Sequence, residues 1–96
     1  MTEIVGVVCR SKRDGWTCAV TVGGGSNAAS YEVAVSRGEL ERFAPQGNEP
    51  SALVEESFRF LLERESKESI LRTFELSVIE RYFAEYPSEI RRRLAR

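Results

Sequence analysis

The spacing of apolar residues changes character once along this chain, at Ser36. Before it, Trp16, Cys18, Val20 and Val22 alternate with Thr17, Ala19 and Thr21, and Tyr31, Val33 and Val35 alternate with Glu32 and Ala34. A period of two is what a strand buried on one face requires. After it, apolar residues recur at intervals of three and four, the spacing of helices lying on a core. Strands first and helices afterwards read as an α+β fold.

Ile4 to Arg10 supplies one more β-rich run, joined to the next across Lys12-Arg13-Asp14-Gly15, in which Asp-Gly is a hairpin signal. The Gly-rich stretch Gly23-Gly24-Gly25-Ser26-Asn27 then precedes the run ending at Val35. The expectation is a three-stranded antiparallel β-meander followed by three to five short helices packed on one sheet face. Ser36-Arg37-Gly38-Glu39 fits a capping box, with Val35 and Leu40 as its hydrophobic staple, and predicts a helix to about Phe43. Ala44 to Glu49 reads as a loop. A second helix starts near Pro50 or Ser51, because Pro is tolerated in a first turn, and runs to about Arg64 with Leu53, Val54, Phe58, Leu61 and Leu62 on one face. A short helix follows from Ser66 or Ser69 through Phe74. Ser77-Val78-Ile79-Glu80 forms a second capping box and opens a helix that Pro87 interrupts, leaving a last turn or two from Ser88.

On a helical wheel with Val78 at zero, Tyr82 falls at roughly 40°, Tyr86 at 80°, Ile79 at 100° and Phe83 at 140°. Glu80, Arg81 and Glu85 lie outside that arc. The aromatic stripe therefore reads as core, with the tyrosine hydroxyls at its wet margin. The expected core joins the strand residues above, from Trp16 to Val35, to Leu40, Phe43, Leu53, Phe58, Leu61, Leu62, Ile70, Leu71, Phe74 and this stripe.

Ninety-six residues with a net charge of −1 make one domain and no basic nucleic-acid surface. No apolar run reaches the ~18 residues of a membrane span. With Glu3 early and an apolar run only from Ile4 to Cys9, no signal peptide is expected, and the protein is expected in the cytoplasm. Histidine is absent, which removes the commonest general base and metal ligand together. Two cysteines do not complete a structural zinc site. We therefore expect no cofactor, no metal site and no enzyme.

The remaining candidates each have a structural reading. The Gly23–Ser26 stretch would cradle a phosphate only ahead of a helix, and a strand follows it here. Cys9 faces Cys18 if the hairpin loop is Lys12 to Gly15, pairs with Val20 if the loop is Asp14-Gly15, and points to the opposite face from Cys18 if a bulge intervenes. Opposed or not, the two read as buried thiols that pack as small apolar groups. Residues 66–86 suggest a helix-turn-helix, but Glu68, Glu75, Glu80 and Glu85 outnumber Lys67, Arg72 and Arg81. Arg91, Arg92 and Arg93, with Arg96, form the basic cluster, suited to an acidic partner, to nucleic acid or to the negative end of the final helix, and otherwise a solvated tail. The acidic pairs Glu55-Glu56 and Glu63 with Glu65 read as solubility.

The first strand points to a partner. Ile4, Val5, Val7 and Val8 make it apolar on both faces, and a meander leaves it at an edge with neither Pro nor a central Lys. Either a helix covers it or it pairs with another chain, as in a homodimer with a continuous sheet. The partner-binding candidates are thus Ile4, Val5 and Val7 in that strand and Arg91, Arg92 and Arg93 at the other end. The leading expectation is a non-catalytic protein-interaction or regulatory module that self-associates, with nucleic-acid binding as the alternative.

The segment ESILRTFELSVIERYFAEYPSEI, Glu68 to Ile90, resembles a segment of short uncharacterised bacterial proteins of similar length. Their aromatic motif reads YFPEY where this chain has Ala84. The resemblance implies a bacterial source and transfers no activity and no functional residue.

Overall fold

The computed structural model describes residues 4–95. Strands β1 (Val5–Lys12), β2 (Gly15–Val22) and β3 (Ala29–Ser36) form the antiparallel meander, and a further strand β4 (Thr73–Glu75) lies parallel to β3 at the edge opposite β1. The sheet is therefore four-stranded and mixed, a correction to the purely antiparallel three-stranded sheet expected. Helices α1 (Arg37–Phe43) and α2 (Pro50–Leu62) make the crossover that a parallel pairing of β3 with β4 demands. Helices α3 (Val78–Tyr82) and α4 (Tyr86–Leu94) follow.

β4 replaces the helix expected through Phe74. Ile70 and Phe74 stand four apart, which imitates helical spacing, but Phe74 and Leu76 point inward around an exposed Glu75. Glu32 N–H donates to the Arg72 carbonyl at 2.7 Å and Leu76 N–H to the Ala34 carbonyl at 3.0 Å, which ties this short segment to β3. Residues 66–86 accordingly comprise a 3-10 turn (Lys67–Ser69), β4 and the five-residue α3, not the helix pair of a helix-turn-helix.

The hairpin joins Lys12 to Gly15, so Ser11 faces Trp16 and Cys9 faces Cys18. Gly15 has φ +156°, and a Cβ there would lie 2.0 Å from the Val35 carbonyl oxygen. Only glycine lets β2 and β3 approach this closely.

The first capping box forms: Glu39 N–H donates to Ser36 Oγ at 3.0 Å and Ser36 N–H to Glu39 Oε1 at 2.8 Å. The second does not. Ser77 makes no side-chain cap, and its N–H instead donates to Glu39 Oε2 at 3.0 Å, so one carboxylate fixes the starts of both α1 and α3. Pro87 sits in the first turn of α4 instead of interrupting a longer helix. Its ring would strike the carbonyl four residues back, at Phe83, if the helix ran on. The break falls there, with Phe83 extended at φ −135°, ψ 97°.

α2 packs across β1 and β2 and also against α4. Phe43, Leu53, Phe58, Phe60, Leu76, Tyr86 and Ile90 are fully enclosed between helices and sheet. Ring pairs connect them: Phe60 meets Tyr86 at 5.4 Å, Phe43 meets Tyr86 at 5.1 Å and Tyr31 meets Phe58 at 5.0 Å. Leu71 and Tyr82, both expected in the core, are exposed. No helix among the described residues is long and apolar enough to cross a membrane.

Candidate functional site

Among the described residues, the outer edge of β1 and a groove beside α3 are candidate surfaces. On β1, the Ile4 carbonyl accepts from the Gly23 N–H at 2.8 Å. Bonded and non-bonded pairs alternate along an antiparallel ladder. In this register Gly6, Val8 and Arg10 exchange bonds with β2, while Val5, Val7 and Cys9 turn N–H and C=O away from it. Side chains alternate in the other direction. Val5 is buried and Val7 and Cys9 are half-buried on the face covered by α2, whereas Ile4 (76% exposed) and Val8 (70%) stand on the open face. A helix thus covers one face of β1 and leaves its edge unpaired among the described residues.

The groove lies between the end of α2, the segment leading into β4, and α3. It has a volume of about 170 Å³. Leu61, Ile70, Phe74, Val78, Ile79 and Phe83 give it apolar walls, and Leu71 and Tyr82 stand on it at 49% and 69% exposure. Its polar groups are Glu65, Ser69 and Tyr82, and no hydrogen bond links any two of them. Ser69 Oγ instead bonds Ser66 Oγ at 3.1 Å. Sequence reading missed this site because it assigned Leu71 and Tyr82 to the core and Glu65 to solubility. The available signal was Leu71 following Ile70: in an extended segment two neighbouring apolar residues cannot both point inward.

Arg91, Arg92 and Arg93 are engaged within the chain, and Arg96 lies outside the described residues. Arg91 Nε donates to the Arg42 carbonyl at 3.0 Å. Arg92 pairs with Glu89 one turn earlier. Arg93 is almost enclosed and bridges Glu63 at 2.6 Å and Glu89 at 2.9 Å, with its guanidinium 5.7 Å from the Phe60 ring. Bonds from Arg92 and then Arg93 pull the Glu89 carboxyl down to about 2. Arg93 likewise lowers Glu63, and Arg42 lowers Glu80, each chiefly through the hydrogen bond it donates.

Cys9 and Cys18 are joined as a disulfide, which corrects the reading of two free, packed thiols. The Gly-rich stretch is a hairpin loop with a 3-10 turn over Gly25–Asn27 that leads directly into β3. Among the described residues, no group of three or more Cys, Asp or Glu is placed to hold a metal ion.

No family model, curated protein or solved structure matches this chain.

Proposed function

We propose that this chain is a non-catalytic protein-interaction or regulatory module that self-associates by pairing β1 with β1 of a second copy. The observation that carries the reading is the outward row of backbone groups on Val5, Val7 and Cys9, along an edge flanked by exposed Ile4 and Val8. An edge strand without Pro or a central Lys is a template for another strand. The charged residues of β1, Arg10 and Lys12, sit towards one end, so its first half is clear for pairing. Two copies related by a two-fold axis would bond the same residues reciprocally and close the assembly at two. Val5 and Val7 take part through their backbone, Ile4 and Val8 through their side chains. Arg91, Arg92 and Arg93 have no role in this reading, because their partners lie within the chain.

A cytoplasmic location belongs to the same proposal and sets a condition on it. A reducing compartment would keep Cys9 and Cys18 as thiols, so association must survive reduction.

Light scattering behind size exclusion tests this, with and without dithiothreitol. The wild type is expected at twice the 10.8 kDa chain mass. Val8→Lys, on the open face, should run as a monomer with unchanged circular dichroism, and its melting temperature should fall by no more than the lost dimer contributed. Val7→Lys is the poorer probe, because Val7 packs against the covered face. A wild type that stays monomeric at every concentration would remove the proposal.

A further inference from the structure

The groove beside α3 lies at the far end of the sheet from β1 and plays no part in strand pairing. We infer that it is a docking site for a basic peptide segment, which inserts one aromatic or branched side chain and sets a neighbouring Lys or Arg against Glu65.

Size limits the occupant first. An apolar cavity of ~150 Å³ accepts a benzene ring, and this groove is about 170 Å³. It takes one side chain, and is well short of the ~300–1,000 Å³ typical of cofactor and drug-sized ligands. Its setting favours a side chain that arrives on a polypeptide. Leu71 and Tyr82 hold apolar surface in water on the same groove, where residues flanking an inserted anchor would rest. A buried anchor surrounded by contacts that exclude water is the usual form of an interaction hot spot, and Tyr is enriched there.

Charge selects the segment. Glu65 lines the groove half-buried and has no ion pair among the described residues. The arginine next to it in sequence, Arg64, is spent on Glu63 and Glu85. Glu65 is the acidic residue among those lining the groove, so it attracts an incoming cation. An acidic segment would be repelled by the same group.

The test is a titration of the full chain, followed by amide chemical shifts, with three capped hexapeptides: Gly-Ser-Phe-Lys-Ser-Gly, its Phe-Glu counterpart and its Ala-Lys counterpart. Free phenethylamine is the fourth probe. The Phe-Lys peptide is expected to move the amides of Glu65, Ile70, Phe74 and Phe83 and to bind about fivefold more tightly than Phe-Glu, the scale of one partly exposed ion pair. Ala-Lys should leave those amides unmoved. Glu65→Gln should equalise Phe-Lys and Phe-Glu while keeping the preference for Phe over Ala. Tyr82→Ala should weaken every Phe peptide by about tenfold, as truncation of a hot-spot aromatic does. Silence at these amides, or equal binding of Phe-Lys and Phe-Glu to the wild type, overturns the inference. Phenethylamine binding more tightly than the Phe-Lys peptide overturns the peptide occupant in favour of a small amine. None of these readouts depends on the oligomeric state, so this inference and the β1 proposal fail separately.

Discussion

Ser57 and Tyr86 show how one proton sets an energetic asymmetry. Both are completely buried. Ser57 Oγ donates to the Leu53 carbonyl at 2.7 Å, and a hydroxyl has a single proton to give. The 2.6 Å bond between the two side chains must therefore be donated by the Tyr86 O–H. Burial, with the Ser57 bond opposing it, pushes the Tyr86 phenol well above its ordinary pKa, so it remains a donor at any ordinary pH. Tyr86→Phe leaves Ser57 satisfied by Leu53 and should cost about 0.5–1.5 kcal/mol, the worth of one hydrogen bond. Ser57→Ala leaves a buried phenol with no acceptor and should cost about 1–3 kcal/mol, although it removes the smaller group. Urea unfolding of the two variants measures this, and a costlier Tyr86→Phe would reverse the donor assignment. Tyr86 also marks what a helical wheel conveys. Its inward direction was legible from the stripe, but its dry hydroxyl was not, because the break at Phe83 reorients everything after it.

At the scale of elements, local chemistry was readable and non-local pairing was not. The alternation in β2 and β3 and the Ser36–Glu39 capping box lie within a few residues and formed as read. β4 exists only because β3 offers it an edge some forty residues away in sequence, and three residues are too few to display a period. The identical-looking motif at Ser77–Glu80 fails for a similar reason: Glu80 is drawn to Arg42 and the Ser77 N–H to Glu39, both on or beside α1. The β1–β2 hairpin carries the covalent link. Cys9 and Cys18 close a short loop, with a sequence separation of 9, for which chain entropy gives about 2.5 kcal/mol of stabilisation. Reduction, or the double change Cys9→Ala with Cys18→Ala, should lower unfolding stability by up to that amount and leave the strand register intact. Denaturant titration with and without dithiothreitol gives the difference. Since α2 also holds β1, loss of the whole fold on reduction would mean that the helix contributes less than its packing implies.

Across the whole molecule, the groove and the charge mesh share an origin in how the late helices settle on α2. Glu65 and the arginines looked alike in sequence, as charges on solvated faces. Only the assembled fold separates Arg93, locked between Glu63 and Glu89, from Glu65, which has no ion pair among the described residues. The mesh also predicts acid sensitivity of definite sign. Glu63, Glu80 and Glu89 all have native carboxyls held below their ordinary value by arginine hydrogen bonds, Glu89 at about 2. At mildly acid pH the unfolded chain therefore binds more protons than the native one, and stability rises with pH. The contribution is fully present above about pH 5, where an unfolded Glu of ordinary pKa ~4.3 is already ionised. It is lost as pH falls towards 2, through the native range of Glu89. Melting temperature should hold from pH 7 to 5 and then drop towards pH 2. These pairs are partly solvated, so added salt should flatten the drop. Glu89→Gln should flatten it too, because Glu89 holds Arg92 and Arg93 together. If that variant kept the wild-type slope between pH 5 and 2, the acid response would have to arise at Glu63 and Glu80. The hold of α4 on α2 would then run through the Glu63–Arg93 bridge beside the apolar contacts of Ile90 and Tyr86.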